Sequence, residues 1–192
     1  MNNLIIISGP SGSGQDSVIE GLEQQIPIER VITTTTRAMR VGETNGHPYY
    51  FISEEEFAEG LARDNFFEHA CQYNGKSYGV TFAEIERVKR SGRIGIWKMD
   101  YQGVMSAKKL IQGIVAILIF APLDVLKARI ERRDHPTPAY LAERMAYSEQ
   151  YFAKRDVYDY AVENKEDELA STVAQIRTII AGAVSLDKNT SI

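Results

Sequence analysis

Two periods of apolar spacing alternate along this chain, and each change of period marks an element. Leu4, Ile5, Ile6 and Ile7 form an unbroken apolar run, the pattern of a strand covered on both faces. Val115 to Phe120 repeats that pattern. Ile94 to Met99 predicts a third strand, along which Trp97 and Lys98 fall on opposite faces with Trp97 in the core. Helical spacing takes over from Asp16 to Gln24, where Val18, Ile19 and Leu22 share a face. Ile26-Pro27 closes that helix, because a residue before proline is pushed out of helical geometry. The helical period returns from Thr81 to Arg90, with Phe82, Ile85 and Val88 inward. It returns again from Leu123 to Arg133, a basic helix stopped near Pro136 and Pro138, and from Tyr140 to Lys154, a long polar one. A short strand is expected near Tyr160 to Val162. A last helix follows from Glu166 to Ala181, with Leu169, Val173, Ile176 and Ile180 toward the core, and the tail after Ser185 reads as polar and frayed.

Strands alternating with helices predict an α/β fold on a parallel sheet with right-handed crossovers. Residues 33–80 break the alternation. Glu29 to Thr35 is β-branched and strand-like, and the polar segment after it turns at Asn45-Gly46, a type I′ hairpin signal. Ser53 opens a short helix as its cap, with Glu56 in the capping-box position and Phe57 and Leu61 on one face. Phe66 to Tyr78 alternates loosely around Asn74-Gly75, a second hairpin signal. The whole stretch reads as an inserted lobe.

Composition narrows the classes. With 192 residues and 44% hydrophobic content, one domain with a sizeable core is expected. A net charge of −4 argues against a broad nucleic-acid-binding surface. One cysteine, Cys71, excludes a disulfide within the chain, fits a reducing cytoplasm, and is expected as a small buried hydrophobe. No leader precedes Leu4 and no apolar run approaches the ~20 residues of a membrane span, so a soluble cytoplasmic protein without membrane contact is expected. His47, His69 and His135 are dispersed without ligand spacing, and no metal is expected on them.

The candidate chemistry begins where the first strand meets three glycines. A strand, a glycine loop and a helix in that order let backbone N–H groups converge on phosphate oxygens at a helix N-terminus. The spacing fits G-x-x-x-x-G-K-[ST], which would set Gly9, Ser11, Gly12, Ser13, Gly14, Gln15, Asp16 and Ser17 around a phosphate. The lysine and hydroxyl positions, however, read Gln15 and Asp16. Arg37 and Arg40 lie in a polar loop; as residues alone they read either as solvated charges or as guanidinium forks for a phosphate, with Tyr49 and Tyr78 as added donors. Glu68 follows Phe66-Phe67, an apolar setting in which a carboxylate needs a partner.

TTTTRAMRVGETNGHPYYF resembles the T-T-R-x-x-R-x-G-E-x-x-G-x-x-Y-x-F stretch of guanylate kinases. FFEHACQYNGKSYGV, MDYQGV, FAPLDVLKARIERRD with Arg144, and YDYAVEN are similar to later segments of that family in the same order. The resemblance implies a P-loop three-layer fold in one domain: a core of 1–32, 81–124 and 145–192, a nucleotide-binding lobe of 33–80 and a helical lid of 125–144. It implies transfer of the ATP γ-phosphate to GMP with Mg²⁺, and small-molecule nucleotides as partners. Arg37, Arg40, Tyr49 and Tyr78 would hold the acceptor phosphate. Thr33, Glu68 and Asp100 would read the base, since guanine offers adjacent N1–H and N2–H₂ donors. Arg129, Arg133 and Arg144 match lid arginines that would close over ATP.

Four positions depart from the family pattern. Besides Gln15 and Asp16, Lys98 replaces the first acid of the family's D-x-D-x-Q-G strand end, and Val80 stands where Ser or Thr follows Y-G. The segment between Glu68 and Tyr78 also runs one residue long. Lysine to Gln15 and hydroxyl to Asp16 each change the charge by −1, and acid to Lys98 changes it by +2, so the sum is zero. The expectation is therefore an exchange, with Lys98 reaching the β/γ-phosphates and Asp16 becoming the carboxylate near Mg²⁺; the rival is a dead site in which Lys98 merely neutralises Asp16. Two other functions stay open: a ribose 1,5-bisphosphate phosphokinase, whose loop pairs with an aspartate where Asp16 stands, and a guanylate-kinase-like binding module with a disabled donor site.

Overall fold

The structure is a computed structural model that describes residues 3–71 and 75–188, the last four by backbone alone. Its central strand is β1 (Leu4–Ser8), buried at every position as the apolar run requires. The glycine loop carries the chain into α1 (Gln15–Glu23), whose Val18, Ile19 and Leu22 are buried against the sheet. Each such side chain stabilises the packing by roughly 1.5–3 kcal/mol. Next comes β2 (Ile28–Arg30), then β3 (Thr33–Thr35). The continuous β-branched run expected from Glu29 to Thr35 is thus two strands in two sheets, because Val31 and Ile32 carry the chain from one sheet to the other.

The remaining core strands are β7 (Ile94–Met99), β8 (Val115–Phe120) and β9 (Tyr160–Glu163). The order β2-β7-β1-β8-β9 is parallel throughout. Period-2 alternation divides the core. Ile5, Ile7 and Ile96 face α1 and the last helix, whereas Leu4, Ile6 and Trp97 face the opposite layer. Trp97 is 1% exposed.

A second sheet, ordered β4-β3-β6-β5, is built from β3 with β4 (Tyr49–Phe51), β5 (Phe66–Cys71) and β6 (Ser77–Thr81). Between β4 and β5, α2 (Glu54–Ala62) starts at Ser53 with both capping-box bonds formed to Glu56. Strands β5 and β6 pair antiparallel, and Asn74 of the expected hairpin turn lies outside the described residues, as do the tail positions past 188. At Asn45-Gly46 only Gly46 has positive φ (87°), with His47 N–H bonded to Thr44 O. A type I′ turn needs positive φ at both central residues, so the turn is of type II form. Strands β3 and β4 pair parallel.

Helix α3 (Phe82–Arg90) buries Ile85 and Val88 but leaves Phe82 51% exposed; Glu84 takes the inward place, accepting from Ile32 N–H and from Arg87. Leu61 and Leu169 also face outward. Cys71 is exposed, contrary to expectation, because it ends an edge strand where no second layer covers it. An unexpected helix, α4 (Tyr101–Leu110), follows β7; Asp100 caps it, and Val104 and Ala107 are buried. Then come α5 (Leu123–Asp134), α6 (Pro138–Ala153) and α7 (Leu169–Lys188). Pro138 in the first turn and the Thr137 cap start α6 two residues earlier than the polar pattern suggested. Asp167 at φ 57° delays α7 past Glu166. Among the described residues no helix is long and apolar enough to cross a membrane.

Candidate active site

The carboxyl ends of β1 and β7 open into one cleft of about 540 Å³ between the core, the second sheet and the α5–α6 corner. In the loop after β1, Gly9 and Gly14 have no room for a side chain: a Cβ would collide with the Ile119 carbonyl at Gly9 and with the Asn164 amide at Gly14. Gly14 also sits at φ 87°, which L side chains rarely adopt. The loop's carbonyls are tied back by the protein. Asn164 Nδ2 donates to Ser13 O at 2.9 Å, Arg129 Nη1 to Gly12 O at 3.3 Å, and Thr172 Oγ1 steadies Asn164 Oδ1 at 3.1 Å. Among the described residues the N–H groups of Ser11, Gly12 and Gly14 have no protein acceptor. Acceptors satisfied and donors left over are what a phosphate needs.

The late Y-D-x-x-x-x-N segment braces the same region. Tyr158 OH and Ser8 Oγ share a buried hydrogen bond of 2.9 Å, and Asp159 accepts from Ala116 N–H at 2.7 Å and pairs with Lys108 at 2.8 Å.

Lys98 and Asp16 meet. Lys98 lies beside Ile7 in the register of β7 on β1, and alternation turns it to the face on which α1 begins. Its Nζ is 2.6 Å from Asp16 Oδ1, 82 residues away in sequence. Burial raises the pKa of Tyr49, and the Lys98 charge offsets part of that rise. Gln15 folds back to donate to the Gly9 carbonyl.

Across the cleft, Arg37 donates two bonds of 2.8 and 3.0 Å to Glu43 and stacks over Tyr49 and Phe51, 5.4 and 5.3 Å from the ring centroids. The bond to Arg37 holds Glu43 below the usual carboxylate range. Arg40 is exposed at the rim. Arg133 forms a two-point pair with Asp134 (2.7 and 2.8 Å) and reaches Ser11 Oγ at 3.4 Å. Arg144 donates to the Tyr140 hydroxyl at 2.6 and 2.9 Å.

At the inner end, Asp100 accepts from Gly103 N–H at 2.9 Å and from Tyr147 OH at 2.8 Å. Glu68 has no hydrogen-bond donor among the described residues. Burial, aided by the Asp100 charge, raises its pKa from 4.5 to about 7.

The cleft brings together Gly9, Ser11, Gly12, Gly14, Gln15, Asp16, Ser17, Thr33, Arg37, Arg40, Tyr49, Glu68, Tyr78, Lys98, Asp100, Arg133 and Arg144. Two residues of the expected set lie outside its walls. Ser13 is fully buried, its hydroxyl unpartnered. Arg129 points to the back of the loop, held by Gly12 O, Asn164 O and Glu166, with 15% of its side chain exposed. Val80, 0% exposed, packs in the core behind the cleft. Sequence reasoning missed Asn164, Thr172 and the tyrosines of α6; the signal for the last was Tyr140, Tyr147 and Tyr151 at helical spacing with Arg144.

A parallel sheet in this order, a glycine loop between β1 and α1 and arginines around the cleft define a P-loop kinase fold. The guanylate kinase family model matches residues 1–183. A guanylate kinase of Clostridium perfringens is 38% identical over 181 residues, covering 92% of this chain and 82% of that protein. One from Porphyromonas gingivalis is 34% identical over 185 residues, covering 94% and 97%. The crystal structure of guanylate kinase from Anaplasma phagocytophilum superposes with a TM-score of 0.72 at 25% identity, over 93% of this chain and 84% of that one. The chain belongs to the guanylate kinase family, a family of phosphotransferases.

Proposed function

We propose that the protein is a nucleoside monophosphate kinase that transfers the γ-phosphate of ATP to GMP with Mg²⁺, giving ADP and GDP in the cytoplasm. Glu68 carries the reading: a carboxylate on the cleft wall without a donor among the described residues, within electrostatic reach of Asp100. Two carboxylates favour a base edge made of donors. Guanine presents N1–H and N2–H₂ side by side, whereas adenine would oppose its N1 lone pair to an acceptor, with Thr33 lining the same wall. Arg37 would exchange Glu43 for the acceptor phosphate, joined by Arg40, Tyr49 and Tyr78.

On the donor side, the loop N–H groups would take the β- and γ-phosphates. Lys98 would leave Asp16 for the same oxygens, standing in for the absent loop lysine, and Asp16 would be freed toward Mg²⁺. The donor set fits that ion: Mg²⁺ is held by one or two carboxylates with substrate phosphates and water. Asp16 and the neighbouring Ser17 hydroxyl supply such a set, and among the described residues no cluster of three or more metal-binding side chains offers another. Bound there, Mg²⁺ would neutralise charge on the phosphates. Arg133 and Arg144 would trade Asp134 and Tyr140 for the transferring group as the lid closes, and Arg129 would hold the loop from behind. No general base is needed when both phosphates are held in line.

The closed Lys98–Asp16 pair favours one second reading, a binding module with a neutralised donor site. The test is ADP formation from ATP and Mg²⁺ with GMP, AMP, a ribose bisphosphate or no acceptor. GMP-dependent turnover supports the proposal; turnover with another acceptor alone removes guanine from it; GMP binding without turnover favours the second reading.

A further inference from the structure

Helix α6 carries Tyr140, Arg144, Tyr147 and Tyr151 at i, i+4, i+7 and i+11, a single stripe. Among the described residues the Tyr147 ring packs on Tyr101, with centroids 5.4 Å apart, and on Tyr151, at 5.9 Å. Tyr101 and Tyr151 pack on each other at 5.3 Å and close the triangle. So held, the Tyr147 hydroxyl donates to Asp100 Oδ2 at 2.8 Å while Asp100 Oδ1 accepts from Gly103 N–H at 2.9 Å. An ionised carboxylate has about four acceptor sites. Among the described residues these two donors take one site on each oxygen. The terminal torsion of an aspartate is broad, and donors on both of its oxygens restrict that torsion more than a donor on one.

We propose that Tyr147 is a positioning residue for base selection: it holds Asp100 in the orientation that receives the exocyclic amino group of guanine. The inference rests on the guanylate reading of the cleft. It also makes α6 the link between the two ends of the site, because Arg144 lies three residues before Tyr147 and lines the same cleft.

Tyr147→Phe keeps the ring contacts and removes the hydroxyl alone. Steady-state kinetics are measured with GMP and with IMP, which lacks the 2-amino group, together with the KM for ATP and the melting temperature. The KM for GMP should rise about ten-fold and the preference for GMP over IMP in kcat/KM should fall by a similar factor. The KM values for IMP and ATP should stay within about two-fold. If turnover is too slow to measure, the same ratio is read from calorimetric Kd values. An unchanged preference in a variant of a GMP-selective wild type overturns the role of Tyr147, since a purely structural role would lower stability or affect both acceptors alike. A wild type that binds neither nucleotide overturns the guanylate reading itself.

Discussion

Glu68 should cost the empty protein stability, and the sign of its pH dependence follows from the direction of its shift. Burial and the Asp100 charge raise its pKa from 4.5 to about 7. Below 4.5 the carboxyl is protonated whether the chain is folded or unfolded, and it contributes nothing to the balance. Between 4.5 and 7 the unfolded chain ionises while the folded one resists, so stability falls as pH rises; above about 7 the full penalty stands. At about 1.4 kcal/mol per pKa unit the ceiling is about 3 kcal/mol. Partial exposure and solvent screening reduce the expected figure to about 1–2 kcal/mol. Glu68→Gln removes the charge at nearly constant size. Calorimetric melting of the two proteins without nucleotide should find the variant more stable at pH 8, by roughly 2–8 °C for a chain of this length. At pH 5 most of that gap should vanish. Equal melting at pH 8, or a variant that is less stable there, would refute the assignment of a burial-shifted carboxylate.

The same group predicts the pH dependence of acceptor binding. Guanine donors need the ionised form, so the KM for GMP should rise up to about ten-fold per pH unit below about 7 and level off above it, while Glu68→Gln should show a flat, weak profile in steady-state kinetics. Asn164→Ala removes the tie to Ser13 O and the Thr172 bond to Asn164 Oδ1, leaving Thr172 its Glu168 carbonyl acceptor; thermal melting should fall by the equivalent of about 1–3 kcal/mol, and the KM for ATP should rise more than that for GMP.

The parallel core was legible because its evidence is local. The apolar runs Leu4–Ile7 and Val115–Phe120 can be satisfied only by strands covered on both faces, and both strands are where those runs are. Helix α4 was missed because Gly103 sits in its first turn and its apolar stripe is short: Val104 and Ala107, followed by Ile111. Phe82 reads as inward by spacing but yields that place to Glu84, which accepts from the Ile32 backbone N–H, 52 residues away, as well as from Arg87 one turn on. No local pattern contains the demand of Ile32. The meeting of Lys98 with Asp16 was foreseeable from strand adjacency and charge, since β7 beside β1 and period-2 alternation leave Lys98 little else to face. The orientation of Arg129 was not, because it depends on the Gly12 and Asn164 carbonyls, 117 and 35 residues away. Nor was the grip of Tyr147 on Asp100, whose partners lie 47 residues apart.

The central claim is that a donor site without its loop lysine still transfers phosphate, using the cation brought to it by β7. GMP-dependent ADP formation by the wild-type protein, measured beside Lys98→Ala under saturating ATP and Mg²⁺, tests it most directly. The account predicts turnover by the wild type and a loss of about 100-fold or more in kcat for the variant. Equal rates for the two proteins, or a wild type that binds GMP and ATP without forming ADP, would contradict it.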